Sequence, residues 1–206
     1  MKYLSHLPLP RKLTIAAFSC ATALTLFAGC SHVPILSIPA LASIDFRTTQ
    51  FQMLRAAIEM PDMLVPQPEA VRLNVELTIE DEVAEQRSYA LIQTSFAESA
   101  EMGGFVSEAG RHAFVYRLTE ADQLGMEAIR RAIFAAEEAG QEGGLRLQVS
   151  VEDVCANAPL PNDALLIDVF LMTSETERFV RTLDGFDLRE MSDPGVNLEQ
   201  SIWACQ

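Results

Sequence analysis

The chain has 206 residues, of which 49% are hydrophobic, and its 15 basic and 29 acidic residues give a net charge of −14. This length fits one globular domain with a sizeable core. The acidic balance excludes nucleic acid and anionic lipid headgroups as general partners, because a strongly negative surface repels phosphate groups.

Residues 1–30 divide into three zones that are typical of a signal peptide. Lys2, Arg11 and Lys12 mark a basic beginning, Leu13–Phe27 is apolar, and small residues follow. The apolar stretch is shorter than the roughly 20 residues that a membrane-spanning helix needs, whereas it suits the hydrophobic region of a signal peptide. Removal of these three basic residues would leave 12 basic against 29 acidic residues, a net charge of −17.

The segment Leu26-Phe27-Ala28-Gly29-Cys30-Ser31 resembles the lipobox of bacterial lipoproteins, although Phe27 stands where that class usually carries Leu. The resemblance implies that residues 1–29 are removed and that acyl chains are attached to Cys30, which anchors the chain in a membrane. Ser31 replaces the Asp that retains lipoproteins of enteric bacteria at the inner membrane. The resemblance therefore implies the outer membrane, with the domain facing the periplasm.

Residues 30–43 are predicted to form the lipidated Cys and a tether. Pro34 and Pro39 discourage helix there, and the apolar composition indicates that the tether lies against the membrane or against the domain. Two alternatives to the lipobox remain open. Cleavage at Ala40-Leu41-Ala42 would release a soluble periplasmic protein, and an uncleaved apolar segment would itself anchor the chain.

From residue 44 onward, alternation of apolar and polar residues is the dominant pattern, and it indicates β-strands. The stretch 165–173 is apolar on both faces, which predicts an interior strand, and Ser174-Glu175-Thr176 predicts a hairpin to the strand that follows. The predicted strands are 54–60, 71–79, 87–96, 112–118, 145–151, 165–173 and 178–183.

One segment has helical periodicity instead. Thr119 begins Thr-Glu-Ala-Asp, which is close to a capping box, and Gly140 with the Gly143-Gly144 pair terminates the pattern. We therefore predict one amphipathic helix near 119–140. The expected fold class is α+β, with a mainly antiparallel sheet or sandwich of about seven strands in a single globular domain of residues 44–206.

The sequence contains four cysteines, of which Cys20 would leave with the signal peptide and Cys30 would carry lipid. Cys155 and Cys205 remain, and an even pair in an oxidising compartment predicts a disulfide. Two buried free thiols are the alternative.

No catalytic residue, cofactor or metal site is predicted, because the sequence has no Gly-x-Ser-x-Gly elbow, P-loop or Cys-x-x-Cys pair. Glu108 and His112 have a spacing seen in metal sites, but Gly110 interrupts a helix there and no further ligand is indicated. The run Glu80-Asp81-Glu82 lacks the spacing of a calcium loop and is interpreted as a solvated strand end. The segment Met102-Gly103-Gly104-Phe105 is interpreted as a loop.

The lipobox and the lack of catalytic motifs together predict a non-enzymatic, membrane-anchored envelope lipoprotein that binds or scaffolds another periplasmic component. Its expected partners are the membrane, through the lipid anchor, and an envelope protein, but no nucleic acid. One alternative is a binder of small apolar ligands with a cavity between sheet and helix. A second is a carboxylate-based hydrolase, in which two acids would converge in a deep cleft.

Overall fold

The computed structural model describes residues 34–95, Glu98, 107–191 and 202–205. These residues form three β-sheets and one long helix. The predicted signal peptide of residues 1–29, the predicted lipid attachment at Cys30 and the predicted loop Met102–Phe105 lie outside the described residues.

The largest sheet consists of five antiparallel strands, and β1 at its centre is buried on both faces. Ala57 of β1 lies opposite Val115 on one neighbouring strand and opposite Phe170 on the other. In spatial order the strands are β10 (Val180–Asp187), β9 (Leu166–Met172), β1 (Arg55–Pro61), β6 (Arg111–Arg117) and β5 (Ile92–Gln93).

A second sheet contains three long antiparallel strands in the order β4 (Glu82–Ala90), β3 (Val71–Ile79) and β7 (Gly143–Val151). Aliphatic residues of β3 point into the core and its polar residues point outward, so the predicted alternation at 71–79 is confirmed. A small third sheet has the order β11 (Trp203–Ala204), β8 (Val154–Ala156) and β2 (Leu64–Pro66), and β11 runs parallel to β8.

The long helix α2 (Glu120–Glu138) confirms the predicted amphipathic helix. The hydroxyl oxygen of Thr119 accepts a hydrogen bond from the backbone N–H of Asp122 at 3.1 Å, which satisfies one of the free amides of the first turn. Gly140 follows the helix with a φ of +75°, a conformation that glycine adopts without strain. No helix within the described ranges is both long and apolar enough to cross a bilayer.

One continuous apolar core joins the two larger sheets to α2. Ile58 of β1, Leu73 of β3 and Ile129 of α2 are at most 1% exposed within it. A smaller cluster of Ala57, Val115 and Phe170 lies on the opposite face of the five-stranded sheet, because successive strand residues point to opposite faces. The five-stranded sheet is therefore covered on both sides along β1.

Several sequence predictions need correction. The described residues contain eleven strands rather than about seven, because β2, β5, β8 and β11 have only two or three residues each and are too short to show alternation. The predicted strand 87–96 is divided between β4 and β5. The Gly143-Gly144 pair opens β7 instead of ending the helix.

The tether also differs from its prediction, since residues 35–41 are helical. A 3-10 turn spans Ile35–Ser37 and α1 spans Ile38–Leu41. Pro39 lies in the first turn of α1, where backbone N–H groups have no hydrogen-bond acceptor within the helix, so the N–H that proline lacks is not needed. The proline therefore permits this short helix rather than preventing it.

Candidate binding surface

The outward face of the sheet β4-β3-β7 forms an open groove of about 410 Å³. Polar side chains at even-numbered positions of all three strands line it, because these positions point away from the core. The lining residues are Asn74, Val75, Glu76, Gln86, Arg87, Ser88, Arg146 and Gln148.

The polar side chains of this groove bond to one another across the strands. The hydroxyl of Ser88 donates to Oδ1 of Asn74 at 2.6 Å, and Nδ2 of Asn74 donates to Oγ of Ser150 at 2.9 Å. Nε2 of Gln86 donates to Oε2 of Glu76 at 2.9 Å. These cross-strand bonds order a polar surface that suits contact with a polar partner.

The two edges of this sheet differ in how they are protected. At the β4 edge the pairing register shifts between Leu77 and Thr78, and Glu82, Glu85 and Arg87 place charges along the strand. Bulges and charges are the features with which proteins prevent edge-to-edge pairing. The Glu85 carboxylate accepts a hydrogen bond from Arg87 and raises the pKa of the Arg87 guanidinium, so the positive charge of Arg87 is maintained.

The β7 edge lacks this protection. β7 pairs with β3 over nine residues without a register shift, contains no proline and carries a single charge, Arg146. No strand among the described residues pairs with its other side. β7 is thus a long, regular edge of the kind to which a further strand can be added.

The backbone of β7 offers hydrogen-bonding groups to such a strand. Glu80 donates its N–H to the carbonyl of Glu142, and Glu152 donates to that of Ala70, both at 2.9 Å. These bonds show that the even-numbered residues of β7 direct their backbone N–H and C=O groups towards β3, because the direction of these groups alternates along an antiparallel strand. The backbone groups of Gly143 and of the odd-numbered residues after it therefore point away from the sheet; those that carry a side chain are Leu145, Leu147, Val149 and Val151.

The side chains of these same four residues are only half-buried. They pack against the core, whereas the corresponding aliphatic residues of β3 are almost completely covered, with Leu73 0% and Leu77 2% exposed. A neighbouring strand with apolar residues on the core side would complete their coverage. Among the described residues, the β7 edge thus combines backbone groups that no strand pairs with and incompletely buried apolar side chains.

The other distinctive group of polar residues is a buried charge cluster on the outer face of the five-stranded sheet. Glu59 and Asp168 lie directly opposite each other on β1 and β9, and each side chain is only 2% exposed. NH1 of Arg111 donates to Oδ2 of Asp168 at 2.5 Å and lies 4.0 Å from Oε2 of Glu59. NH2 of Arg111 donates to the carbonyl oxygens of Glu59 and Leu166 at 3.0 and 3.1 Å.

Backbone amides complete the partners of both carboxylates. Oε1 of Glu59 accepts from the N–H of Glu108 at 2.8 Å, and Oδ1 of Asp168 accepts from that of Gly185 at 2.6 Å. The cluster therefore ties the loop before β6 and the irregular part of β10 to the centre of the sheet. Neither carboxylate lines the polar groove described above, the cavity beside Trp203 or the cavity beside Arg130. Both buried acids thus have hydrogen-bond donors, as buried polar groups require.

This cluster is absent from the sequence predictions, although one signal points to it. Asp168 lies in the middle of a segment that is otherwise apolar on both faces. A carboxylate in an interior strand requires a cationic or hydrogen-bonding partner. Arg111 could not be identified as that partner from the sequence, because 57 positions separate the two residues.

The predicted disulfide between Cys155 and Cys205 is present, with the two Cα atoms 5.0 Å apart. Trp203 of β11 lies opposite Cys155 of β8, and the N–H of Cys205 donates to the carbonyl of Ala156 at 2.9 Å. The bridge and this short parallel strand together fasten the end of the chain. A cavity of about 710 Å³ beside them is lined in part by Leu160, Ile202 and Trp203.

The remaining candidate residues have structural explanations. His112 is exposed in β6, and its ring meets that of Phe114 edge-on with the centroids 4.7 Å apart. Glu80 and Asp81 have φ values of +52° and +63° and form the turn between β3 and β4, as the predicted solvated strand end requires. Within the part of the chain that the structure describes, no three His, Cys, Asp or Glu side chains are grouped so that they could hold a metal.

A third cavity, of about 440 Å³, lies where the first turn of α2 meets residues 48–52. Arg130 borders it and donates to the carbonyl of Phe46 at 2.9 Å and to that of Thr49. Its guanidinium carbon lies 4.3 Å from the ring centroid of Phe51. Arg130 therefore serves to fasten the preceding segment to the helix.

The chain matches no protein-family model, and comparisons with curated proteins and with solved structures find no match.

Proposed function

We propose that this protein is a lipid-anchored module of the bacterial cell envelope that acts by binding an envelope protein rather than by catalysis. The lipobox-like segment ending at Cys30 supports the anchor. The disulfide between Cys155 and Cys205 supports export, because such bonds persist in oxidising compartments such as the periplasm.

The observation that carries the proposed binding is the β7 edge. An extended segment of a partner would add to β7 as a fourth strand, bonding to the outward backbone groups of Leu147 and Val149. Its residues on the core side would be apolar, because they would complete the coverage of half-buried aliphatic side chains. Recognition of this kind needs no catalytic group.

Charge further defines the partner segment. Glu142 precedes β7, and Glu152 and Asp153 follow it, so both ends of the edge are acidic. A segment with Lys or Arg at its ends would complement them. If two copies of this chain paired β7 antiparallel about Leu147, Glu142 of each copy would lie opposite Glu152 of the other, which disfavours that self-association.

The test uses prolines at positions whose backbone N–H points away from β3. Val149→Pro removes one outward donor from β7 and leaves the bonds to β3 intact, since edge positions tolerate proline. Gln86→Pro is the matched control, because the bond from Leu91 N–H to the carbonyl of Val71 places the backbone of Gln86 on the outer side of β4. A photoreactive side chain at Gln148 reports the partner in intact cells.

We expect a crosslink from position 148 to a specific envelope protein. This crosslink is expected to be lost with Val149→Pro and retained with Gln86→Pro. Circular dichroism of both variants checks that they remain folded. The absence of any specific crosslink, or equal loss with both folded variants, would contradict binding at β7.

The cavity beside the disulfide favours a second candidate function, the binding of a small apolar ligand. Leu160, Ile202 and Trp203 supply apolar surface there, and Trp203 is 48% exposed. Its test is the fluorescence of Trp203, the single tryptophan of the chain. A saturable shift in emission when fatty acids are titrated would favour this function over protein binding.

A further inference from the structure

The helical segment Ile35–Leu41 exposes apolar side chains at its beginning. Leu36 and Ile35 are 93% and 82% exposed, the two highest values among the large apolar residues that the structure describes, and Ile38 is 52% exposed. Ser37, which lies between Leu36 and Ile38 in the sequence, is buried, and the turn Ile35–Ser37 lies against β10. The segment is therefore held to the domain by one side while its large apolar residues face outward.

The same segment is free of formal charge. Residues 31–44 contain no Asp, Glu, Lys or Arg, although the complete chain has a net charge of −14. Ile44, at the end of this stretch, packs against the apolar core. The exposed apolar residues therefore belong to a neutral segment of an acidic chain, and the segment itself adds no repulsion from lipid phosphate groups.

Chain length places these residues close to the proposed lipid anchor. Five residue steps separate Cys30 from Ile35, and an extended chain covers at most about 3.3–3.6 Å per residue, which gives roughly 17 Å. A lipid-modified Cys30 would lie at the membrane surface, where the headgroup layer is about 5–7 Å thick on each side. The length of the intervening chain allows Ile35 and Leu36 to reach this layer.

We infer that Ile35, Leu36 and Ile38 form a membrane-contacting ledge that inserts into the headgroup region of a zwitterionic bilayer. This inference rests on the proposed lipid anchor at Cys30. Acyl chains alone would leave the domain free to rotate above the membrane. The ledge supplies a second contact and so gives the domain a preferred orientation, because apolar side chains favour the interface over water.

The experiment uses the full acylated protein, purified from membranes and reconstituted into phosphatidylcholine vesicles. Leu36→Cys introduces a thiol into the ledge, and Val83→Cys is the matched control, since Val83 is an exposed apolar residue on β4. With Cys30 acylated and Cys155 bonded to Cys205, the introduced thiol is the one available for an environment-sensitive fluorophore.

We expect blue-shifted emission and quenching by brominated lipid chains for the fluorophore at position 36, and aqueous emission without quenching at position 83. Transfer of one apolar side chain from water corresponds to a preference of more than about tenfold. The labelling of Leu36→Cys by a membrane-impermeant maleimide is therefore expected to be about tenfold slower in vesicles than that of Val83→Cys.

Two negative outcomes can be distinguished by acyl labelling of the same sample. An acylated protein with aqueous emission at position 36 would overturn the ledge and leave the proposed anchor intact. A protein without acyl groups would overturn both. Crosslinking of position 36 to another envelope protein in intact cells, together with a lack of lipid quenching in vesicles, would assign this surface to a protein partner and would also overturn the ledge.

Discussion

Removal of Arg111 is expected to destabilise the protein far more than removal of an exposed arginine. Arg111→Ala removes the guanidinium that contacts Asp168 and lies near Glu59, two carboxylates that are each only 2% exposed. Breaking a buried ion pair by deleting one partner costs about 3–5 kcal/mol, because an uncompensated charge remains in the interior. Arg111→Ala also removes two hydrogen bonds to main-chain carbonyls, a loss included in this range.

Arg146→Ala is the matched control. Arg146 lies 3.6 Å from Glu76, but its side chain is 76% exposed. An exposed pair of this kind contributes about 0–1 kcal/mol, because water screens the interaction. The two arginines thus form ion pairs of similar composition with very different burial.

The measurement is the free energy of unfolding in urea. We expect Arg111→Ala to lower it by about 3–5 kcal/mol and Arg146→Ala by less than about 1 kcal/mol. Adding Glu59→Gln to Arg111→Ala is expected to recover part of the loss, since it removes one of the two uncompensated charges. Equal effects of the two alanine substitutions would refute the assignment of Arg111 as the cation that neutralises a buried cluster.

Three further predictions concern stability. Reduction of Cys155–Cys205, 50 positions apart, is expected to cost roughly 4 kcal/mol, measured as the loss of unfolding free energy after reduction; an unchanged value would contradict this. Gly125→Ala is expected to destabilise although alanine favours helix, because the new Cβ would lie 2.7 Å from the hydroxyl of Tyr89, and Tyr89→Phe is expected to relieve this cost; denaturant midpoints of the single and double variants check it. Burial raises the pKa of Tyr116, so the folded state resists its ionisation and stability is expected to fall as the pH rises above about 10, with a smaller slope in Tyr116→Phe.

The local patterns of the sequence determined the strands and the helix that show strong periodicity. The strand at 71–79 has the predicted bounds, and α2 begins after Thr119 and ends before Gly140, as its capping residues require. The disulfide followed from counting the cysteines that remain in a chain predicted to be exported. These predictions succeed because they depend on residues close in sequence or on a single possible pairing. The lipobox and its acyl anchor remain predictions from the sequence alone.

Only the tertiary structure decided how these elements are arranged and which surfaces stay open. That β7 lies at an edge depends on the sheet order β4-β3-β7, and its sequence pattern is as regular as that of the central β3. The pairing of Arg111 with Asp168 and the outward direction of Leu36 likewise depend on contacts across the fold. Hydrophobic periodicity shows which side of a strand is apolar, but sheet order and burial arise from packing between residues distant in sequence, and a local pattern contains no information about them.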